Sequence, residues 1–137
     1  MTCIISDQHT LWLEQGKTLT HLNQYEEALA SFERSLQLDP RNFITWVWRA
    51  GVLTHLDNYS EALASLNRAL ELCPNVVGED SEYDKQSIIL FRGIVLQELG
   101  CHQEAYASYN RALQLERAER RSLWQQLTSA FAQFALF

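Results

Sequence analysis

The fold is decided by residues 46–74, which read WVWRAGVLTHLDNYSEALASLNRALELCP. The aromatic, small and proline positions of this stretch recur 34 residues earlier, in the pairs Trp12 and Trp46, Tyr25 and Tyr59, Ala28 and Ala62, and Pro40 and Pro74. A block that recurs at such a period is typical of an array of two-helix units. Because each unit contacts only its neighbours, such an array builds an extended surface rather than a closed catalytic cleft.

The apolar spacing within each block predicts two amphipathic helices per unit. Three units are expected, at about residues 9–42, 43–76 and 86–119. Pro40 ends the first unit, because proline disfavours helical geometry in the residue before it, and Asn42 is expected to cap the next helix. The third unit is displaced by 43 residues, so Gly93 aligns with Ala50, and Arg117 takes the place of the proline.

Small residues at fixed positions indicate close helix packing. Gly16 or Ala50 is expected to let the first helix of a unit approach the second, and Ala62 to let the second helix approach the next unit. A large side chain at these positions would hold the backbones apart.

The residues that lengthen the third spacing form an acidic insertion at 75–85. Gly78 interrupts the helix pattern, and Ser81 to Asp84 has the spacing of a capping box, so an early start to the next helix is expected. A calcium site built from Glu79, Asp80, Glu82 and Asp84 is conceivable, but the spacing differs from that of an EF-hand loop. We therefore interpret the insertion as a solvated loop outside the stacked core.

A last helix is expected at about residues 118–137. Its apolar stripe consists of Leu123, Leu127, Ala130 and Phe134, with Trp124 and Phe131 beside it. A solenoid needs a cap because its terminal face would otherwise stay in contact with water. The apolar residues Leu136 and Phe137 extend beyond what a cap requires, so self-association or contact with a second protein is the alternative.

Composition narrows the class of partner. The net charge of −6 and the pI near 5.1 argue against nucleic-acid binding, which needs a basic surface. No signal peptide is recognised at the start, and the apolar tail is too short to cross a bilayer. Cys3, Cys73 and Cys101 lack zinc-ligand spacing and suit reduced thiols, so a cytoplasmic location is expected.

The chain resembles the tetratricopeptide repeat family. Its first unit carries that pattern at Trp12, Gly16, Tyr25, Ala28, Phe32 and Pro40, and the second at Trp46, Ala50, Tyr59, Ala62, Leu66, Ala69 and Pro74. The resemblance implies an all-α fold in a single domain over residues 1–137. The expected architecture is a right-handed α-solenoid of three helix pairs plus a C-terminal capping helix.

No catalytic or cofactor motif is recognised, so we expect a protein that is not an enzyme and holds no cofactor or metal. His21 and His55 occupy equivalent positions in adjacent units. Helix axes about 8–10 Å apart place two such imidazoles too far from each other to share one metal ion. Cys101 and His102 are adjacent, but no third catalytic group accompanies them in the sequence.

The resemblance implies that partners bind the concave face, which the first helix of each unit lines. The residues expected there are Leu13, Lys17, His21, Val47, Trp48, His55, Leu90, Phe91 and Ile94. Family members that bind chaperone tails hold a terminal carboxylate with lysine, asparagine and arginine. This chain has only one basic residue at the matching positions, which are Leu13, Lys17, Trp48, Ser87 and Phe91, so chaperone-tail binding is disfavoured.

The groove is therefore expected to be apolar and aromatic, with Trp48 and Phe91 as anchors. The function expected is a protein–protein interaction module, acting as an adaptor, scaffold or assembly factor, that binds an apolar peptide or helix of another protein. Two alternatives are an accessory or regulatory subunit of an enzyme, and a scaffold that self-associates into a homo-oligomer through its C-terminal helix.

Overall fold

The computed structural model describes the backbone of residues 2–74 and 81–135. Side chains are described from residue 7 onward within these ranges, except at 115, 116, 119, 120, 122–124, 126, 127 and 129–135. Over the described ranges the chain forms six α-helices and no β-strand. They are α1 (Thr2–His21), α2 (Tyr25–Leu38), α3 (Phe43–His55), α4 (Tyr59–Leu72), α5 (Lys85–Glu98) and α6 (His102–Ala135).

The helices pack in the order of the chain. α1 packs on α2, α3 on α4 and α5 on α6, while α2 also contacts α3 and α4 also contacts α5. The second helices α2 and α4 therefore each lie between the first helix of their own unit and that of the next unit. This arrangement is an α-solenoid, and it confirms the all-α repeat fold expected from the 34-residue period.

A small residue on the first helix of each unit faces a large one on the second helix, sixteen positions later. A Cβ added to Gly16 would lie within 2.9 Å of the Phe32 ring, and one added to Gly93 would lie 2.6 Å from the ring of Tyr109. The second unit has Ala50 and Leu66 at these positions, both fully buried. The slightly larger small residue is thus matched by a smaller partner, which keeps the packed volume similar.

The turns between the helices of a unit also repeat. Asn23, Asp57 and Gly100 stand at equivalent positions and all adopt a positive φ, of 62°, 59° and 80°. Asparagine, aspartate and glycine are the residues that tolerate this left-handed geometry best. In the first two units a tyrosine hydroxyl secures the turn, with Tyr25 donating to Asn23 Oδ1 at 2.9 Å and Tyr59 to Asp57 Oδ1 at 3.1 Å.

Two helix starts are set by side-chain caps. Asn42 Oδ1 accepts hydrogen bonds from the backbone N–H groups of Ile44 and Thr45, as expected from the sequence. α5 starts at Lys85 with Asp84 as its cap, in a capping box with Ser87. The cap expected at Ser81 is therefore displaced by three residues, because the Ser81 hydroxyl donates to the carbonyl of Tyr83 instead.

The C-terminal helix is not a separate element. α6 runs without interruption from His102 to Ala135, so the second helix of the third unit and the helix expected from about residue 118 are one helix of 34 residues. The physical reason is the missing breaker, since Arg117 stands where the earlier units have Pro40 and Pro74. The side chains of the expected apolar stripe, at 123, 124, 127, 130, 131 and 134, and residues 136 and 137 lie outside those that the structure describes.

The matched packing pairs generate a first prediction. Gly16→Ala should destabilise the fold by about 1–3 kcal/mol, because the new methyl group overlaps the Phe32 ring. The double change Gly16→Ala with Phe32→Leu recreates the pair of the second unit and should recover part of this loss. Urea denaturation followed by circular dichroism measures both free energies of unfolding.

Gly51→Ala is the matched control. A Cβ at Gly51 meets nothing within 4 Å, and alanine is favoured over glycine inside a helix by about 0.5–1 kcal/mol. This variant should therefore be more stable than the parent chain. Equal stability of Gly16→Ala and the parent chain would contradict the packing argument.

Candidate functional site

The first helices of the three units meet along one groove. A cavity of about 240 Å³ lies there, between α1, α3, α5 and the residues that precede α5. Its lining consists of Thr20, Val47, Trp48, Gly51, Val52, His55, Tyr83 and Phe91. The groove is therefore built mainly by α3, with α1 and α5 as its two sides, at the place where the repeat register predicts the concave face.

Gly51 keeps the centre of the groove open. It lies in the middle of α3, and a Cβ built on it would have no neighbour within 4 Å. The equivalent positions on the other first helices carry Lys17 and Ile94. A glycine inside a helix costs about 1 kcal/mol relative to alanine, so this position gives up helix stability where a side chain would occupy the groove.

Trp48 forms the wall beside this opening, and its ring is half-buried. The ring lies 6.2 Å from Phe32 below it, and the ring of Tyr83 meets it edge-on at 6.4 Å. Its indole Nε1–H donates a hydrogen bond of 3.0 Å to Glu82 Oε2. Trp48 therefore joins the core of the first unit to the residues that precede α5.

Lys17 completes the contact from α1. Its side chain is only 14% exposed, its ammonium group pairs with Glu82 Oε1, and it lies 3.2 Å from Glu14 Oε1. The same nitrogen lies 5.5 Å from the centre of the Trp48 ring, a cation–π distance. Burial lowers the pKa of Lys17, but the hydrogen bonds to Glu82 and Glu14 outweigh it and hold that pKa above the ordinary lysine value.

Glu82 has a separate donor for each carboxylate oxygen. Burial raises the pKa of Glu82, but the hydrogen bonds from Lys17 and Trp48 outweigh it and hold that pKa below the ordinary glutamate value. The Glu82 side chain is 42% exposed. An ion pair with this much solvent contact contributes on the order of 0.2–1 kcal/mol, so the pair can open without unfolding the solenoid.

The two groove histidines engage different aromatic rings. His21 is exposed and meets Trp48 edge-on at 6.0 Å, while His55 stacks on Tyr25 at 4.5 Å with the rings nearly parallel. Among the residues that the structure describes, no group of three or more histidine, cysteine or acidic side chains could hold a metal ion. Of the conceivable calcium ligands, Glu82 and Asp84 serve other partners, and residues 79 and 80 lie outside the described ranges.

The remaining expected groove residues divide into exposed and buried ones. On α5, Leu90 is 39% and Ile94 49% exposed, while Phe91 packs against the core of the second unit. Leu13 is only 7% exposed and belongs to the core of the first unit, so its side chain packs inside the fold instead of lining the groove. Val47 is 2% exposed, but it forms part of the cavity floor.

The sequence does not reveal the contacts of Glu82 and Tyr83 in the groove. A solvated loop was expected at these positions, but Glu82 contacts α1 and α3, and Tyr83 packs against the core of the second unit. That expectation is therefore wrong for these two residues, and residues 75–80 lie outside the described ranges. The one available signal was an aromatic residue between two acidic ones, and that signal does not identify a partner 65 positions away.

Within residues 2–74 and 81–135, no helix combines the length and the apolar composition that crossing a bilayer requires.

Comparison with known proteins supports the repeat assignment. Residues 13–76 match the family model described as tetratricopeptide repeat. The first repeat domain of Spaghetti (RPAP3), bound to the HSP90 peptide SRMEEVD, is similar with a TM-score of 0.69 at 24% identity, over 90% of this chain and 95% of that one. Its second repeat domain, bound to the same peptide, has a TM-score of 0.67 at 23% identity, over 79% and 92%.

A third similar structure is the N-terminal domain of stress-induced protein-1 from C. elegans, with a TM-score of 0.68 at 18% identity, over 80% of this chain and 85% of that one. At these identities the likeness establishes the fold. No curated protein matches the chain.

The carboxylate contact generates a pH prediction. Because the pKa of Glu82 is lowered in the folded chain, the stability that its contact contributes is fully present above the ordinary glutamate value of about 4.3. This contribution is lost as the pH falls through the lowered pKa of Glu82. The indole N–H resonance of Trp48, followed by nuclear magnetic resonance during an acid titration, should move with a midpoint below that ordinary value.

Glu82→Gln provides the control, since it should abolish this movement. Glu14 shares the Lys17 ammonium and His21 lies beside the ring, so Glu14→Gln and His21→Asn are titrated as well. A midpoint that persists in Glu82→Gln would contradict the assignment.

Proposed function

Residues 13–76 of this chain are tetratricopeptide repeats, and we propose that the chain is a non-catalytic protein–protein interaction module that holds an apolar peptide or helix in its concave groove. The single observation that carries this proposal is the open cavity at Gly51, bordered by Trp48 and Phe91. Pockets lined by aromatic side chains are typical binding hot spots. The chain would then act as an adaptor, scaffold or assembly factor, and we propose a cytoplasmic location for it.

The exposed side chains of α5 extend the groove. Leu90 and Ile94 are four residues apart, so they lie on the same face of the helix as successive contacts for a bound segment. Phe91 reaches the cavity from the adjoining position. An amphipathic helix or an extended peptide would bury this apolar surface, which otherwise stays in contact with water.

The two RPAP3 domains, each bound to an HSP90 peptide, support peptide binding as the use of this fold. The positions that hold a terminal carboxylate in chaperone-binding relatives are differently occupied here. Leu13 is buried, Ser87 belongs to the cap of α5, and Trp48 is aromatic. We therefore propose a partner that is recognised by another set of contacts.

A role as an accessory subunit of an enzyme is the alternative that uses the same groove. Catalysis by this chain itself would need a nucleophile, a base and an orienting group within hydrogen-bond reach. The two imidazoles of the groove are instead paired with aromatic rings, His21 with Trp48 and His55 with Tyr25. Whether a partner's catalytic rate changes when the groove is filled distinguishes the two roles.

Self-association through α6 is a second candidate. Tyr106 is 71% exposed and Leu113 49% exposed, and they stand where the earlier units have Leu63 and Leu70. Those two leucines pack against the core of the second unit, to which α5 contributes. The stacking face of the third unit is therefore open to a second copy of the chain.

The groove proposal predicts that filling the cavity blocks binding. Gly51→Leu places a side chain in the open space and should abolish binding of a peptide selected from a random display library, without loss of helicity. Trp48→Ala and Phe91→Ala should each weaken this binding by about 2 kcal/mol or more, because aromatic anchors dominate such interfaces. Fluorescence anisotropy measures the affinities, and circular dichroism measures the helicity.

Leu11→Ala is the matched control, because this leucine is 67% exposed on α1 and does not line the cavity. It should bind the peptide like the parent chain. Unchanged affinity in Gly51→Leu would move the binding surface away from the groove.

The self-association candidate predicts a concentration-dependent dimer, measured by light scattering after gel filtration. Tyr106→Glu should shift this equilibrium towards the monomer, because it places a charge in an apolar contact. Glu104→Gln, on an exposed position of the same helix, is the control. A parent chain that is monomeric at every concentration rules the candidate out.

A further inference from the structure

Glu82 and Tyr83 occupy the groove in the way a bound peptide would. The Glu82 carboxylate receives Lys17 on one oxygen and the Trp48 indole N–H on the other. The following residue, Tyr83, places its ring edge-on against Trp48 and forms part of the cavity wall. Two consecutive residues thus satisfy a charged donor, a neutral donor and an aromatic surface that belong to α1 and α3.

These donors form a carboxylate site with defined chemistry. The Lys17 ammonium is held by Glu14 as well as by Glu82, and it lies over the Trp48 ring, so its position does not depend on Glu82 alone. The Trp48 ring is fixed by Phe32 beneath it and by His21 at its edge. A fixed ammonium group beside an indole N–H recognises a carboxylate, since both are donors only.

We propose that this groove recognises a carboxylate side chain followed directly by an aromatic residue, and that Glu82 and Tyr83 are a tethered occupant which a partner segment of the same chemistry displaces. This inference rests on the proposed function, because it names the class of peptide that the groove binds. It adds a charged contact to a surface whose other contacts are apolar.

Displacement of the tethered occupant removes the Tyr83 ring from the core of the second unit, where the aromatic residue of a partner segment would replace it, and it leaves the start of α5 anchored. α5 is anchored immediately afterwards by the Asp84 capping box, in which Asp84 Oδ1 accepts from the Ser87 backbone N–H and Ser87 Oγ accepts from the Asp84 backbone N–H. Glu82 makes no hydrogen bond to this cap among the described contacts, and its side chain is 42% exposed. The pair Glu82 and Tyr83 can therefore swing away at the Tyr83–Asp84 junction while α5 keeps its start.

Tethering makes the intramolecular occupant a strong competitor. A short connection to α5 gives it an effective concentration of about millimolar or more. The apparent affinity of a free peptide falls by the fraction of molecules whose groove is vacant. A peptide with the same two side chains should therefore bind poorly to the parent chain and well to a chain whose own occupant has been removed.

The test uses the full chain and a fluorescein-labelled peptide containing Ser-Glu-Tyr-Asp between glycines. The vacated variant carries Glu82→Ala and Tyr83→Ala, and the matched control carries Gln103→Ala and Glu104→Ala, two adjacent exposed positions of α6 that do not line the groove. We expect the peptide to bind the vacated variant at least tenfold more tightly than either the parent chain or the control. Fluorescence anisotropy gives the dissociation constants.

Two further arms test the chemistry. A peptide with glutamine in place of glutamate should bind the vacated variant more weakly, and Lys17→Met in that variant should remove the difference between the two peptides. If the double variant loses its cooperative thermal transition, Glu82→Gln replaces it, because this change keeps Tyr83 and removes only the charge. The expected gain for Glu82→Gln is smaller but in the same direction.

The failures of the two proposals are distinguishable. Equal affinity of the peptide for parent and vacated chains, with binding abolished by Gly51→Leu, overturns the tethered-occupant inference and leaves the groove as the binding site. Absence of binding to the vacated chain, while library-selected peptides bind in the groove, also overturns the inference alone. Selected peptides that bind Gly51→Leu as tightly as the parent chain overturn the proposed function itself.

Discussion

The structure depends on one close approach inside each unit. Where Gly16 meets Phe32 and Gly93 meets Tyr109, the first helix can lie against a ring only because it carries no side chain at that point. That approach fixes the distance between the paired helices and, through the second helix, the position of the next unit. Repetition of this contact gives the helix pairs a similar spacing along the solenoid.

The groove forms because equivalent positions on the first helices of the three units carry side chains of different size. Positions equivalent to Leu13 are buried in the first two units, with Val47 as the second member, but are exposed at Leu90 in the third. Four residues further along, the central helix α3 has Gly51, whereas the other two first helices carry the larger Lys17 and Ile94 at the matching places. The cavity is therefore lined mainly by α3, and α5 contributes Phe91 to it and exposes the apolar side chains of Leu90 and Ile94.

Sequence periodicity predicted the elements whose causes are local or repeated. The helix pairs and the tight positions at Gly16 and Gly93 recur at fixed offsets, so each is indicated more than once along the chain, whereas the Asn42 cap is predicted from its own local sequence. The length of α6 was missed because a boundary was expected where no proline or glycine stands to impose one. A helix continues unless a residue stops it.

The contacts of Glu82 could not be predicted in this way. The contact with Lys17 joins positions 65 apart in the chain. Glu82 lies in a segment without counterpart in the other units, so the repeat pattern gives no information about its contacts. The burial of Leu13 was also missed, because its equivalent Val47 lines the cavity, whereas Leu13 packs in the core of the first unit with residues of α2 and α3. Periodicity gives the face on which a residue lies, whereas three-dimensional packing decides how much of it remains accessible.

Glu82 and Tyr83 connect the groove with the third unit, because they contact the groove and precede the first helix of that unit in the chain. Both residues lie directly before Asp84, which starts α5, and Tyr83 packs against the same core as Phe91. A segment that replaces them in the groove must leave Asp84 in place, because Asp84 Oδ1 accepts the backbone N–H of Ser87 in the first turn of α5. The capping box therefore separates the two roles of this stretch: the residues before it can exchange with a ligand, and those after it preserve the solenoid.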